Sequence, residues 1–176
     1  FPAILKYLSQ FKDGLMPKPR DWKGPWIGRK PGNYQWYELQ DTVDYYGEFE
    51  KPKLIVPAIV QKASYYYDQS GYYSNDKTCI ISTTDLYLLG ILNSRVPDFV
   101  MHHIASTKQG GYFEYKPMYI SKLPIRVIDF TNPADVKRHD QMVALVERML
   151  ELHKQLAAAR TPPEQVRLQA QIEVTD

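Results

Sequence analysis

At Asn132-Pro133-Ala134-Asp135 the character of this chain changes, and that change constrains the fold more than any other feature. Asparagine is a favoured helix cap, and proline suits the first helical position because an N–H there would have no intrahelical partner. An acidic residue in the first turn complements the helix dipole. Beyond this point Met142, Leu145, Met149, Leu152 and Leu156 recur at alternating steps of three and four, the seam of a helix packed against another helix. The spacing predicts a helix to about residue 160, on the order of 40 Å long. Thr161-Pro162-Pro163-Glu164 then combines a stop with a new capping box, so a second helix is expected to begin and fold back.

Before Asn132 the elements are short. Ile4, Leu5, Leu8 and Phe11 lie at helical spacing over residues 2–11. Pro17, Pro19, Pro25 and Pro31, with Gly24, Gly28 and Gly32, exclude a regular helix over residues 16–31 and predict an extended loop. Residues 54–61 read as a strand in which Pro57 implies an edge or a bulge. Tyr65, Tyr66 and Tyr67 lead through Asp68-Gln69-Ser70-Gly71 to Tyr72-Tyr73, the pattern of two strands around a polar turn, with alternate tyrosines in the core. Residues 77–83 form a further strand. Thr84 or Asp85 caps a largely buried helix carrying Leu86, Leu88, Leu89, Ile91 and Leu92. A second helix is expected from Pro97-Asp98, a break at Gly110-Gly111 before residues 112–115, and a closing strand over residues 123–128. The predicted class is α+β: a small twisted mixed sheet flanked by helices over residues 1–131, then a long C-terminal helix and the start of a second over residues 132–176.

A chain of 176 residues can hold one domain with a core and a helical appendage. The chain starts at Phe1 rather than Met and stops at Asp176 inside a helical pattern, so the sequence is expected to be part of a larger protein. Cys79 stands alone in an apolar run, which suits a buried small hydrophobe in a reducing, cytoplasmic setting. No apolar window has the length of a membrane span, and none is expected. The net charge of +2 does not diagnose a polyanion partner. Its distribution says more, because Lys12, Lys18, Arg20, Lys23, Arg29 and Lys30 oppose only Asp13 and Asp21 in one irregular stretch.

One ordered series of short segments runs through the first three quarters of the chain. It comprises Glu48-Phe49-Glu50-Lys51-Pro52-Lys53-Leu54-Ile55-Val56-Pro57, Gly71-Tyr72-Tyr73, Cys79-Ile80-Ile81, Leu88-Leu89-Gly90-Ile91-Leu92-Asn93-Ser94-Arg95, Gly110-Gly111-Tyr112 and Leu123-Pro124-Ile125. Each piece is common alone; the order and spacing carry the specificity. The series resembles the C-terminal target-recognition domain of TaqI-type adenine-specific DNA methyltransferases, including those fused to a restriction nuclease. The resemblance implies a domain that reads a sequence in double-stranded DNA, joined to a methyltransferase domain of the same parent chain. S-adenosylmethionine would belong to that methyltransferase, and magnesium to a fused nuclease. No cofactor and no metal are expected in this portion. It lacks a glycine-containing cofactor loop and an Asn/Asp-Pro-Pro-aromatic motif, since Pro162-Pro163 stand between Thr161 and Glu164.

For contact with DNA the residue types single out Lys18, Arg20, Lys23, Arg29 and Lys30 in the basic loop, with Trp36 to pack on sugars or bases, and Lys62 beyond it. Around the glycine pair, Lys108, Gln109, Gly110, Gly111, Tyr112 and Lys116 combine donors with a backbone that allows close approach. A solvated loop anchored by its tryptophans, and an ordinary tight turn, are the plain alternatives. A second class is a metal-dependent nuclease, because Pro97-Asp98 followed by Glu114-Tyr115-Lys116 has the loose form of its carboxylate and lysine motif. A third is a non-catalytic assembly module that self-associates through its helices, and a truncated specificity subunit is a variant of the leading reading. His102 and His103 point about 100° apart on a helix, which does not suit a shared zinc ion.

Overall fold

The computed structural model describes residues 1–41 and 43–176. It divides into two compact units, Phe1–Gly47 and Glu48–Asp176.

In the first unit α1 (Pro2–Leu8) passes through a 3-10 turn, Ser9–Phe11, into α2 (Lys12–Leu15). The proline-rich stretch that follows has no helix, in keeping with its composition, and closes on itself through a parallel bridge between Pro17 and Arg29. A 3-10 turn at Asp44–Tyr46 leads to α3 (Gly47–Glu50), whose first residue ends this unit and whose remainder begins the second.

The second unit is built on β1 (Lys53–Pro57), the middle strand of an antiparallel sheet ordered β3-β1-β4, where β3 is Tyr66–Asp68 and β4 is Thr78–Ile81. Pro57 lies at the last position of this central strand, opposite Thr78. The chain then steps out of the sheet at Ala58. Its N–H donates to the Lys77 carbonyl at 2.8 Å and its carbonyl accepts from Tyr115 N–H at 2.9 Å. The next two residues, β2 (Ile59–Val60), enter a second antiparallel sheet ordered β2-β6-β5, with β5 at Thr107–Lys108 and β6 at Tyr112–Glu114. The proline that cannot donate to a ladder thus marks a switch between sheets. The one mixed sheet expected from the sequence resolves into two, antiparallel in every strand pairing.

Two expected strands do not form. Tyr72 and Tyr73 pair with nothing as a strand, because Asp68 accepts from the N–H groups of Ser70 and Tyr72, each at 2.9 Å, and Gly71 adopts φ +75°. The turn is therefore held locally, and the partner of β3 is β1. Residues 123–128 run without a ladder: Pro124 has no N–H to give, and the Arg126 carbonyl accepts from the Tyr87 hydroxyl at 3.4 Å. A short helix absent from the sequence reading, α6 (Pro117–Ile120), comes just before.

Helices α4 (Leu86–Asn93) and α5 (Arg95–Ile104) cover the sheets. Asp85 caps α4 by accepting from Leu88 N–H at 3.1 Å. At its other end, Asn93 accepts from Tyr65 N–H at 2.8 Å and donates to the Tyr65 carbonyl at 3.0 Å, an amide substituting for a neighbouring strand. Of the tyrosine triplet, Tyr65 is buried and Tyr66 exposed, as alternation requires. The core contains Leu54, Val56, Leu89, Met101, Tyr115 and Val146, with Cys79 partly buried against it.

Val146 belongs to α7 (Pro133–Ala158), capped by Asn132, whose side chain accepts from Ala134 N–H at 2.9 Å. Asp135 in the first turn is buried and takes Arg126 at 2.8 Å and Arg138 at 3.0 Å, which hold its carboxyl below the usual range. Gly90 on α4 is the point of close approach, because a Cβ there would stand 2.7 Å from Met142 Sδ and 2.7 Å from Val146 Cγ2. The expected seam thus divides along its length. Met142 faces α4, whereas Met149, Leu152 and Leu156 pack on Leu168 and Ile172 of α8 (Pro162–Thr175), and Leu145 stays 46% exposed. The capping box at Thr161 does not form, for its side chain accepts no cap bond; Gln165 instead donates to the Ala159 carbonyl at 3.1 Å. Among the described residues no helix is long and apolar enough to cross a membrane.

Candidate nucleic-acid interface

The predicted contact residues fall into two groups, one in each unit. In the second unit they surround the β5–β6 hairpin, where Lys108 pairs with Tyr112 and Gln109, Gly110 and Gly111 form the loop. Gly110 has φ +82° and Gly111 φ +75°, a conformation that costs an L-residue roughly 1–2 kcal/mol. Glycine is required there by the turn itself. The Tyr112 ring lies over Gly110, where a Cβ would stand 3.4 Å from it.

The hairpin is tied to the loop after β2. Gln61 donates from its side chain to the Gly110 carbonyl at 3.1 Å, and its own carbonyl lies 2.9 Å from His102 Nε2. The His102 ring stacks on Phe113 of β6, with centroids 4.1 Å apart and planes 14° from parallel. Lys62, the next residue, is exposed. Lys62, Lys108, Gln109, Gly110, Gly111, Tyr112 and Lys116 are thereby gathered around one hairpin and its bracing loop. Neither Gln61 nor His102 is among the predicted contact residues, and nothing in their local sequence marks them as braces.

Beneath this surface Asp98 accepts from Ala63 N–H and from the Tyr115 hydroxyl, both at 2.6 Å. Burial, reinforced by the Asp98 carboxylate, pushes the Tyr115 phenol well above its ordinary pKa. Glu114 takes Lys108 and Lys116, each at 3.0 Å, and the two ammonium groups hold its carboxyl below the usual range. Of the nuclease pattern of Asp98, Glu114 and Lys116, each carboxylate has partners of its own: Asp98 braces the 62–63 loop and Glu114 bridges two lysines. Among the described residues no three His, Cys, Asp or Glu side chains cluster as metal ligands do.

The first unit carries Lys18, Arg20, Lys23, Arg29, Lys30 and Trp36. Arg29 is only half-exposed, and its guanidinium donates to four backbone carbonyls: Leu15 at 2.8 Å, Glu38 at 2.7 Å, Trp36 at 2.9 Å and Gln35 at 3.2 Å. It also lies 4.6 Å from the Tyr34 ring centroid. Its donors therefore organise the loop. Lys30 pairs with Asp41 at 2.8 Å in an exposed bridge that, with Gln40, lowers the Asp41 pKa. Lys18 is half-buried and bonded through its backbone to the Arg29 carbonyl, whereas Arg20 and Lys23 are exposed and make no ion pair among the described residues. The tryptophans serve partly as anchors: Trp26 donates to the Met16 carbonyl at 3.1 Å, Trp22 to that of Pro25 at 2.9 Å, and Trp36 is half-buried with Lys12 5.4 Å above its ring.

Arg29→Lys tests the organising role directly. A lysine ammonium cannot reproduce a planar fork serving four carbonyls. The variant is expected to be cleaved several-fold faster by trypsin within residues 16–41 while residues 48–176 resist as before. Equal cleavage rates in the two proteins would show that the loop does not depend on Arg29.

Residues 18–125 match the family model of the TaqI-like C-terminal specificity domain. The comparison with curated proteins gave no match.

Proposed function

We propose that the chain, which belongs to the TaqI-like C-terminal specificity domain family, reads a sequence in duplex DNA for a restriction-modification enzyme whose adenine chemistry lies in a separate methyltransferase domain. The observation that carries this reading is the extent of the family match, residues 18–125, which takes in both the basic loop and the braced glycine hairpin. The surfaces support it in kind. Exposed Arg20, Lys23 and Lys62, with Lys108 and Lys116, suit phosphate contact, while Gln109 and Tyr112 at the hairpin suit base edges or sugars. Lys18, Lys30 and Trp36 stay in the proposed contact set, and Arg29 enters as the residue that shapes the loop.

Methyl transfer is not assigned to these residues. Pro162 and Pro163 form the exposed first turn of α8, an arrangement that does not fit the gripping of a flipped adenine. In this reading S-adenosylmethionine and the base pocket belong to the methyltransferase. Magnesium would enter only with a fused nuclease. Contact with the methyltransferase domain is expected to be intramolecular in the parent. The helical seam gives less support to self-association than its spacing suggests, since α8 already covers its second half.

The test is binding of a labelled duplex of about 20 base pairs followed by anisotropy across a salt series. Lysine and arginine contacts release condensed counterions, so log K is expected to fall linearly with log salt, by about 0.9 per phosphate contacted. Changing Arg20, Lys23 and Lys62 together to glutamine should weaken binding at least tenfold at low salt. Absence of affinity at any salt, or affinity independent of salt, would remove the DNA-reading assignment.

A further inference from the structure

Lys108 ends β5, Glu114 ends β6, and Lys116 follows two residues on in extended conformation, so Glu114 and Lys116 project to one side. Both ammonium groups contact the same oxygen, Oε1 of Glu114, each at 3.0 Å, which places the two nitrogens within about 6 Å of each other. The carboxylate is the inner member, 13% exposed, and the lysines are the outer ones at 41% and 48%. An ammonium has three donors, and neither lysine has another side-chain partner among the described residues. The cluster therefore keeps a net positive charge and outward-facing donors. Two cations this close repel each other, and the shared carboxylate offsets that repulsion.

The geometry points to a one-phosphate site in which Lys108 and Lys116 converge on a single phosphodiester of the DNA backbone, with Glu114 as the positioning residue that keeps the two ammonium groups together. This rests on the DNA-recognition reading and adds to it a defined contact. Two donors so close together match the two non-bridging oxygens of one phosphate, and the neighbouring Gly110-Gly111 turn has no side chains to hold a phosphate chain away.

The slope of log K against log salt counts neutralised phosphates, so it separates one shared phosphate from two. K108Q and K116Q are each expected to weaken binding while changing the slope by less than about 0.5, because the remaining lysine still neutralises the phosphate. The double variant should lower the slope by about 0.9. In an E114Q background the lysines are no longer held on one point, and the two single changes should become additive. All of these positions are at the surface or retain an isosteric side chain, and thermal unfolding of each variant verifies that the fold is kept. A double variant that lowers the slope by about 1.8, or leaves it unchanged, would overturn the shared site. Non-additivity that persists in E114Q would overturn the positioning role. A wild-type chain without salt-dependent affinity defeats the DNA-recognition reading itself and this site with it, whereas the other outcomes leave that reading intact.

Discussion

Asp68→Ala is expected to destabilise residues 48–176 by about 3–5 kcal/mol, the range found when one partner of a buried ion pair is removed. Asp68 and Lys53 are both fully buried and face each other across the β1–β3 ladder, their side chains in direct contact. Lys53 also donates to the Phe49 carbonyl at 2.5 Å. The substitution strands the lysine charge and leaves the N–H groups of Ser70 and Tyr72 without their acceptor. Thermal unfolding should show a midpoint lowered by roughly 10 °C. Lys53→Met with Asp68→Leu should be milder than either single change, because it removes both charges together. A double variant worse than the singles would refute the ion-pair explanation.

Acid offers a second view of the same pair. Burial alone would raise the Asp68 pKa, but the Lys53 ammonium and the amides of Ser70 and Tyr72 outweigh it, so the folded value lies below the ordinary one. A carboxyl with a depressed folded pKa contributes stability that is fully present above its unfolded value, near 3.9, and is lost as pH falls through the folded value beneath it. The wild type should lose stability over that acid range, and Asp68→Asn should be markedly less sensitive there. An identical acid profile for the two proteins would contradict this linkage.

The second large effect is a change of target. When the chain replaces the specificity domain of a TaqI-like methyltransferase with a different recognition sequence, methylation should move to the donor's sequence with the adenine chemistry intact. The transplant has to carry α7 and α8, because Met142 and Val146 stand against Gly90 and a junction at Asn132 would open the core. Methylation mapped across a genome gives the answer in one experiment. An active chimera that still marks the recipient's sequence would show that these residues do not choose the target.

How far the fold was legible depends on the range of the forces involved. The start of α7 was readable because Asn132, Pro133 and Asp135 act within one helical turn. The glycine loop was readable for the same reason, since positive φ is a local demand. Tyr72-Tyr73 and residues 123–128 were misread because β-patterning counts apolar residues. Asp68 and Pro124 settle those stretches through hydrogen bonds made or withheld. Pro57 signalled a disturbance but could not say that it lay between two sheets, which depends on residues 77 and 115. Within the candidate site, residue type proposes Lys108 and Lys116 separately, and their sharing of Glu114 was half-visible, because residues 114 and 116 lie on one face of an extended chain. Arg29 shows the limit: composition registers a cation, and only the folded loop reveals that four carbonyls surround it.

The close contact of Gly90 with Met142 and Val146 also sets a clock on synthesis. Gly90 leaves the ribosome more than fifty residues before Met142 and Val146, the side chains that cover it. At ordinary elongation rates that interval is about 3–10 s, far longer than the microseconds a helix needs to form. Until Met142 and Val146 arrive, the apolar strip along Gly90 is uncovered. Translation slowed after Gly90 has emerged and before Met142 and Val146 have emerged should therefore lengthen the window for chaperone capture, whereas the same delay before α4 has emerged should not.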